Sequence, residues 1–179
     1  MSERSPGEGR YARLEREQRW LLAAVPEQAR YRSEILDRYL HGTRLRVRRV
    51  TFRDRVLYKL GQKVRLVDGD PERVKLTNIY LSAEEYDTFA TLSGVEIAKQ
   101  RFVMPWGPAD LAVDRFQGRL DGLVLAEAEL GPEDGLLEPP PFALADVTHD
   151  DRYSGGALAH ASDQELESLL GETPGHPSR

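Results

Sequence analysis

Charge alternates with carbon along several β-like runs of this chain, and that pattern constrains the fold more than any other feature. Glu15, Glu17 and Arg19 alternate with Arg16 and Gln18. Arg44, Arg46 and Arg48 alternate with Leu45 and Val47, and Lys59 and Lys63 share one parity of the next run. Glu127 and Glu129 alternate with Ala126, Ala128 and Leu130. A strand sends successive side chains to opposite faces. One such strand is the solvent face of a half-buried sheet. When seven of them recur, and their apolar faces pack under other elements, the charged faces must meet each other. The simplest object that does this is a closed barrel with an ionic interior.

The other signals place strands at about 12–22, 43–52, 55–66, 73–80, 97–104, 110–117, 122–130 and 143–148, eight in all. Pro26 suits a first helical turn, and Ile35, Leu36, Tyr39 and Leu40 then give a helical apolar face that Gly42 stops. A second helix starts at Ser82, with Glu85 three residues on as a capping box, and runs to Leu92. A third starts at Ser162 or Asp163, with Glu165 in the same capping position. Three strand-to-strand connections are too short for parallel crossovers, so those pairs are antiparallel. The expected fold is α+β, mainly β: an eight-stranded antiparallel β-barrel tunnel with flanking helices. Residues 1–10 and 172–179, rich in Pro and Gly, read as flexible tails around a single domain at 11–171.

Composition narrows the function. The chain has 179 residues, enough for one domain. Its net charge of −5 argues against an extended nucleic acid as partner. Without cysteine there is no disulfide framework and no thiolate chemistry. No apolar run is long enough to span a membrane, and Met1–Arg10 lacks a signal-peptide core, so a cytoplasmic location is expected. His41, His149, His160 and His176 form no metal-ligand spacing. Trp20, Trp106 and Phe116 read as packing residues. No Gly-rich strand–helix turn for phosphate is present. The oligomeric state is left open.

Strand by strand, the inward parity reads Glu15, Glu17, Arg19; Arg44, Arg46, Arg48; Lys59, Lys63, Arg65; Arg73, Lys75; Lys99, Arg101; Asp114; and Glu127, Glu129. That is eleven cations against five carboxylates in a chain that is acidic overall. A terminal phosphate ionises twice by about pH 6, so a triphosphate has the sign and roughly the charge such an interior would take.

The same residues, in order, resemble the CYTH superfamily, the triphosphate tunnel metalloenzymes. Glu15-Arg-Glu-Gln-Arg19 is similar to its E-x-E-x-K signature. Further similar pieces are Leu45-Arg-Val-Arg48, Lys59-Leu-Gly-Gln-Lys63, Lys99-Gln-Arg101, Val113-Asp-Arg-Phe116, Gly122 to Glu129, Asp146-Val-Thr148 and Arg152-Tyr-Ser154. Each piece is weak alone; the ordered set covers about residues 12–160. The resemblance implies metal-dependent hydrolysis of inorganic triphosphate or a small organic triphosphate, with Mg²⁺ or Mn²⁺ as cofactor. It implies Glu15, Glu17 and Arg19 at the reacting centre. Arg46, Arg48, Lys63, Arg73, Lys75, Lys99 and Arg101 are the implied phosphate ligands, and Glu15, Glu17, Asp114, Glu127 and Glu129 the implied metal ligands. Carboxylates at i and i+2 on a strand point the same way and can share one hard cation. The alternatives are a class IV-like adenylate cyclase, which would need a nucleoside pocket, and a non-catalytic polyphosphate-binding module.

The chain departs from the family pattern in four places. Arg19 stands where Lys is usual, and an Arg cannot deprotonate. Lys75 and Thr77 follow Arg73 where acids are frequent. Ala112 replaces a frequent acid, and Gly155 stands where Asn is common.

Overall fold

The computed structural model describes residues 10–65, 73–107, 109–131 and 133–171; the side chains of Arg65 and Arg73 lie outside that set, as do nearly all of the two expected tails. Nine strands alternate with three helices: β1 (Arg13–Leu22), β2 (Arg30–Leu40), β3 (Leu45–Thr51), β4 (Val56–Arg65), β5 (Arg73–Leu81), α1 (Ala83–Ala90), β6 (Gly94–Trp106), β7 (Ala109–Phe116), β8 (Val124–Leu130), β9 (Ala143–Asp146), α2 (Gly155–His160) and α3 (Asp163–Gly171).

The sheet runs β5-β4-β3-β2-β6-β7-β8-β1, and β1 pairs back onto β5, so eight strands close into a barrel. All of these pairings are antiparallel. β1 is the seam. Its first half, Arg13–Arg16, pairs with β5, while Trp20–Leu22 pairs with the short β9. The closing pair is short: only Arg73–Leu76 of β5 meets β1.

The helix expected after Pro26 is not there. Residues 30–40 form β2, which pairs with both β3 and β6. Ser33, Ile35, Asp37 and Tyr39 lie on one parity, and Leu36 and Leu40 on the other. Both faces of β2 meet other parts of the protein, so its apolar residues imitate a helical face. β2 is the eighth barrel strand; the expected strand at 143–148 is β9, outside the closed ring.

Three apolar clusters fix the outer wall and the ends. Trp20, Leu22, Leu111, Val113, Val124, Ala126 and Ala128 face outward and are roofed by Leu137 and Phe142. Gln18 clamps that roof: its amide donates to the Leu137 carbonyl at 3.3 Å and accepts from the Leu137 N–H at 2.6 Å. α1 packs Tyr86 and Phe89 on Leu40, Val47, Tyr58 and Leu60. The Ser82–Glu85 capping box starts that helix. Ser162 and Glu165 exchange the same pair of bonds at the start of α3.

The third cluster closes one end of the barrel. Leu21, Ile97, Phe116 and Leu125 share the inward parity, and they pack with Tyr153, Leu158, Leu166, Leu169 and Leu170 of the C-terminal turns and helices. Tyr39 packs against the same cluster. At the other end the inward parity is exposed at Glu129, Asn78 and Tyr80. The barrel is therefore a cup with an apolar floor and an open mouth.

Candidate functional site in the barrel interior

Between floor and mouth the inward side chains pair as ions. Two strands supply the first wall. Asp114 on β7 lies opposite Arg101 on β6, and it accepts from Arg101 Nε and Nη2, both at 2.7 Å. Lys99 Nζ reaches the same carboxylate at 2.5 Å. Asp114 is 1% exposed. Burial pushes its carboxyl up, but Lys99 and Arg101 pull it below the usual carboxylate range. Burial, with Arg101 and Arg48 close by, depresses Lys99 despite Asp114.

The second wall is built on β1 and β8. Arg19 stands opposite Glu127 and Glu17 opposite Glu129. Arg19 Nε donates to Glu127 Oε1 at 2.8 Å, and Arg19 Nη2 to Glu17 Oε2 at 3.4 Å. Lys63 Nζ lies 3.0 Å from Glu17 and 3.3 Å from Glu15. Glu127 also faces Arg101 at 3.8 Å, which joins the two walls. Burial raises the Glu127 carboxyl, but Arg19, with Lys99 and Arg101 beyond it, holds it well below the ordinary range. Glu15 behaves differently. Burial, reinforced by Glu17, outweighs Lys63 and lifts its carboxyl above the usual value. Its Oε2 is buried without a hydrogen bond, although Lys63 is within ion-pair distance.

The third group was not expected. Asp37, at the centre of β2, forks onto Arg48 through Nε at 2.6 Å and Nη2 at 2.7 Å. Arg46 Nε lies 3.5 Å away, an ion pair without hydrogen-bond geometry. Asp37 is 1% exposed. The helix-like spacing of Ile35, Leu36, Tyr39 and Leu40 masks its place among the inward cations. The signal that would have found it is the alternation Ser33-Ile35-Asp37-Tyr39.

Six of the expected site residues on cationic strands are thus sorted. Arg19, Arg46, Arg48, Lys63, Lys99 and Arg101 line the interior. Lys75 does not. Val74 pairs with Glu15 and Lys75 with Leu14, so Lys75 shares the outer face with Leu14 and Val64. The inward residues of β5 are Val74, Leu76, Asn78 and Tyr80, one residue out of step with the expected parity. Arg73 stands in register opposite Arg16, and its side chain lies outside the described residues. Arg44 is exposed before β3. With Lys75 outside and Asp37 inside, the large expected cation surplus shrinks. Among the described residues the ion-paired interior holds six cations on five carboxylates.

Of the carboxylates expected to hold metal, Asp114 and Glu127 are engaged by cations. Glu129 is exposed at the mouth, where it lines a cleft of about 360 Å³ with Asp110 and Asp134. Among the described residues no three carboxylate or histidine side chains converge closely enough to enclose a cation. The donor chemistry at Glu15, Glu17 and Glu129 is that of a hard divalent ion, although the three side chains do not converge on one point. It is all oxygen, the residues share one face, and Glu15 has an oxygen without a hydrogen bond.

Strand order, closure and interior define this protein as an antiparallel tunnel barrel with a plugged end. No family model matches the chain, and no curated protein matches it. Solved structures do. The inorganic triphosphatase NE1496 is 21% identical over 83% of this chain and 95% of that chain, with a TM-score of 0.56. The PH1819 protein from Pyrococcus horikoshii OT3 is 16% identical over 89% and 90%, with a TM-score of 0.50. These are likenesses of fold, and they bear out the tunnel fold that the CYTH resemblance implied. The chain shares their antiparallel barrel fold. No helix among the described residues is long and apolar enough to cross a membrane.

Proposed function

We propose that the protein hydrolyses inorganic triphosphate, or a small organic triphosphate, inside this barrel. The observation that carries the reading is the buried network of lysines, arginines and carboxylates in a closed, one-ended cup. Such a network is costly to bury, and the fold does not need it, because the outer wall already supplies the apolar core. Phosphoryl transfer to water requires mainly positioning and charge neutralisation. Lys99 and Arg101 on one wall and Lys63 and Arg19 on the other would bracket a short phosphate chain, above the Arg46–Arg48 pair that Asp37 engages. Arginine forks suit phosphate oxygens. The P–O bond to the leaving pyrophosphate, or organic diphosphate, breaks as the water oxygen bonds to phosphorus and its proton passes to the released phosphates, and the cations stabilise the charge that develops.

Glu15, Glu17 and Glu129 would hold Mg²⁺ or Mn²⁺. A bound ion of this kind neutralises phosphate oxygens and polarises the attacking water. Glu127 and Asp114 would act by fixing Arg19, Lys99 and Arg101. The mouth at Glu129 is the route of entry.

One observation favours a second reading. Arg19, locked between Glu127 and Glu17, is a permanent cation raised further by those partners against the effect of burial. If the chemistry needs a neutral amine there, the protein binds polyphosphate without cleaving it. Phosphate release from inorganic triphosphate, ATP and thiamine triphosphate with Mg²⁺ or Mn²⁺, with cyclic AMP measured alongside, separates the readings. Phosphate released from any of them supports the hydrolase. Binding without release supports the module, and cyclic AMP supports a cyclase.

A further inference from the structure

The proposed reaction leaves one interior carboxylate without a task. Asp37 is buried, and its field is shared with Lys99 as well as with Arg46 and Arg48. A carboxylate forked on one guanidinium and flanked by a second is the arrangement that arginines make with a phosphate group. It borders the apolar floor: Asp37 pairs with Ile97 and Arg46 with Tyr39. Asp37 lies two residues along β2 from Tyr39, whose ring sits 6.0 Å below the Arg46 guanidinium and packs into the floor. Arg46 Nε is buried without a hydrogen bond, so the two arginines offer more donors than Asp37 takes up.

We propose that Asp37 is a specificity-determining residue: a built-in anion that fills the innermost phosphate position, on Arg46 and Arg48, so that a polyphosphate chain entering at the mouth stops above it. This rests on the polyphosphate reading of the barrel. With Asp37 in place the Arg46–Arg48 pair carries a single net positive charge, too little to draw a further phosphate group down to the floor. An Asn at this position keeps the shape and leaves two desolvated cations unmatched. Unmatched buried charge is costly, and one more phosphate would relieve it.

The test is calorimetric binding of inorganic pyrophosphate, triphosphate and tetraphosphate, each with Mg²⁺, to the full chain and to Asp37→Asn. The tetraphosphate-to-triphosphate affinity ratio should rise about tenfold or more in the variant, the lower end of the coupling seen between close charge pairs. An unchanged ratio overturns the proposal. So does an equal weakening of all three ligands, which would make Asp37 only a prop for Arg48. If Asp37→Asn does not fold, Asp37→Glu carries the test. It pushes the built-in anion one methylene further into the barrel interior, where the phosphate chain would lie, and the triphosphate-to-pyrophosphate ratio should fall about tenfold; an unchanged ratio again overturns the assignment. Failure of the native protein to bind any of the three defeats the polyphosphate reading itself, whereas binding with unaltered ratios defeats the Asp37 assignment alone.

Discussion

The Tyr39 hydroxyl occupies the space that a side chain at position 155 would need: an ideal Cβ built on Gly155 collides with it. The glycine that departs from the family pattern is therefore matched to a tyrosine on β2. Tyr39 is the residue on which the barrel floor meets α2, and Ser154, just before it, caps that helix by accepting from the Ala157 N–H.

This pairing predicts the behaviour of two variants. Gly155→Ala should destabilise the protein by about 1–3 kcal/mol, the ordinary cost of overpacking. Gly155→Ala combined with Tyr39→Phe removes the colliding oxygen and should recover much of that loss. Thermal unfolding of the single and double variants measures both. Additive losses would show that the hydroxyl is not the obstacle.

Asp37 gives the acid side of stability. Burial raises its carboxyl, but Arg48 and then Arg46 outweigh burial and hold it well below the ordinary range. A depressed folded-state pKa adds stability that is complete above the unfolded value, about 4, and is lost as pH falls through the folded value. The gap in unfolding free energy between native protein and Asp37→Asn should be about 3–5 kcal/mol near neutrality, as for breaking a buried pair. It should narrow below about pH 4. Urea titrations between neutral and acid pH read it, and a gap that does not change with pH would contradict the ion pair.

What was legible in the sequence follows from burial on one face or two. β1, β3, β4, β6 and β8 have one ionic and one apolar face, so their charged residues announce both strand and interior. β2 has apolar contacts on both faces: Tyr39 meets the floor, while Leu40 packs outward beside Tyr86 of α1. That erases the period of two, and Asp37 went unseen with it. β5 was recognised as a strand, but its parity was not. No charge pattern on Arg73-Val-Lys-Leu-Thr-Asn fixes the face, and register comes only from pairing with β1 and β4. The short β9 reads as well as any other strand, yet only the pairing tells that it lies outside the ring.

The register of β5 can be tested directly. Lys75→Ala changes a half-buried residue of the outer face and should leave phosphate release unaltered, with stability within about 0.5 kcal/mol. Lys63→Ala, on the inner face of the neighbouring strand, should remove most of the activity. Equal losses in the two variants would put Lys75 back in the interior.

Glu129 tests the metal assignment. It faces Glu17 across the β1–β8 pair, yet no cation engages it among the described interior ion pairs. Glu129→Gln should abolish metal-dependent turnover and weaken Mn²⁺ binding measured by calorimetry, while the thermal midpoint stays near that of the native protein. Undiminished activity across a metal titration would remove Glu129 from the ligand set.

The near balance of charge in the interior makes the last prediction, on the order of binding. Among the described interior ion pairs six cations already face five carboxylates, so a bare triphosphate must displace Glu17, Glu127 or Asp114 from their partners. A divalent ion on Glu15, Glu17 and Glu129 changes that. Glu15 and Glu17, which now pair with Lys63 and Arg19, would turn to the ion, and those cations would be left for phosphate. Triphosphate affinity should therefore be weak with a chelator present and rise at least about tenfold with Mg²⁺ or Mn²⁺. In the metal-loaded state triphosphate should bind more tightly than pyrophosphate, because each missing phosphate leaves desolvated cations unmatched. Added salt should weaken both only modestly, since an enclosed site is poorly screened. Titrations of triphosphate, pyrophosphate, ATP and ADP, with and without metal, measure all three effects. Equal triphosphate affinity with and without metal would mean that the carboxylates do not gate the cations, and equal affinity for pyrophosphate and triphosphate would show that the interior does not read chain length.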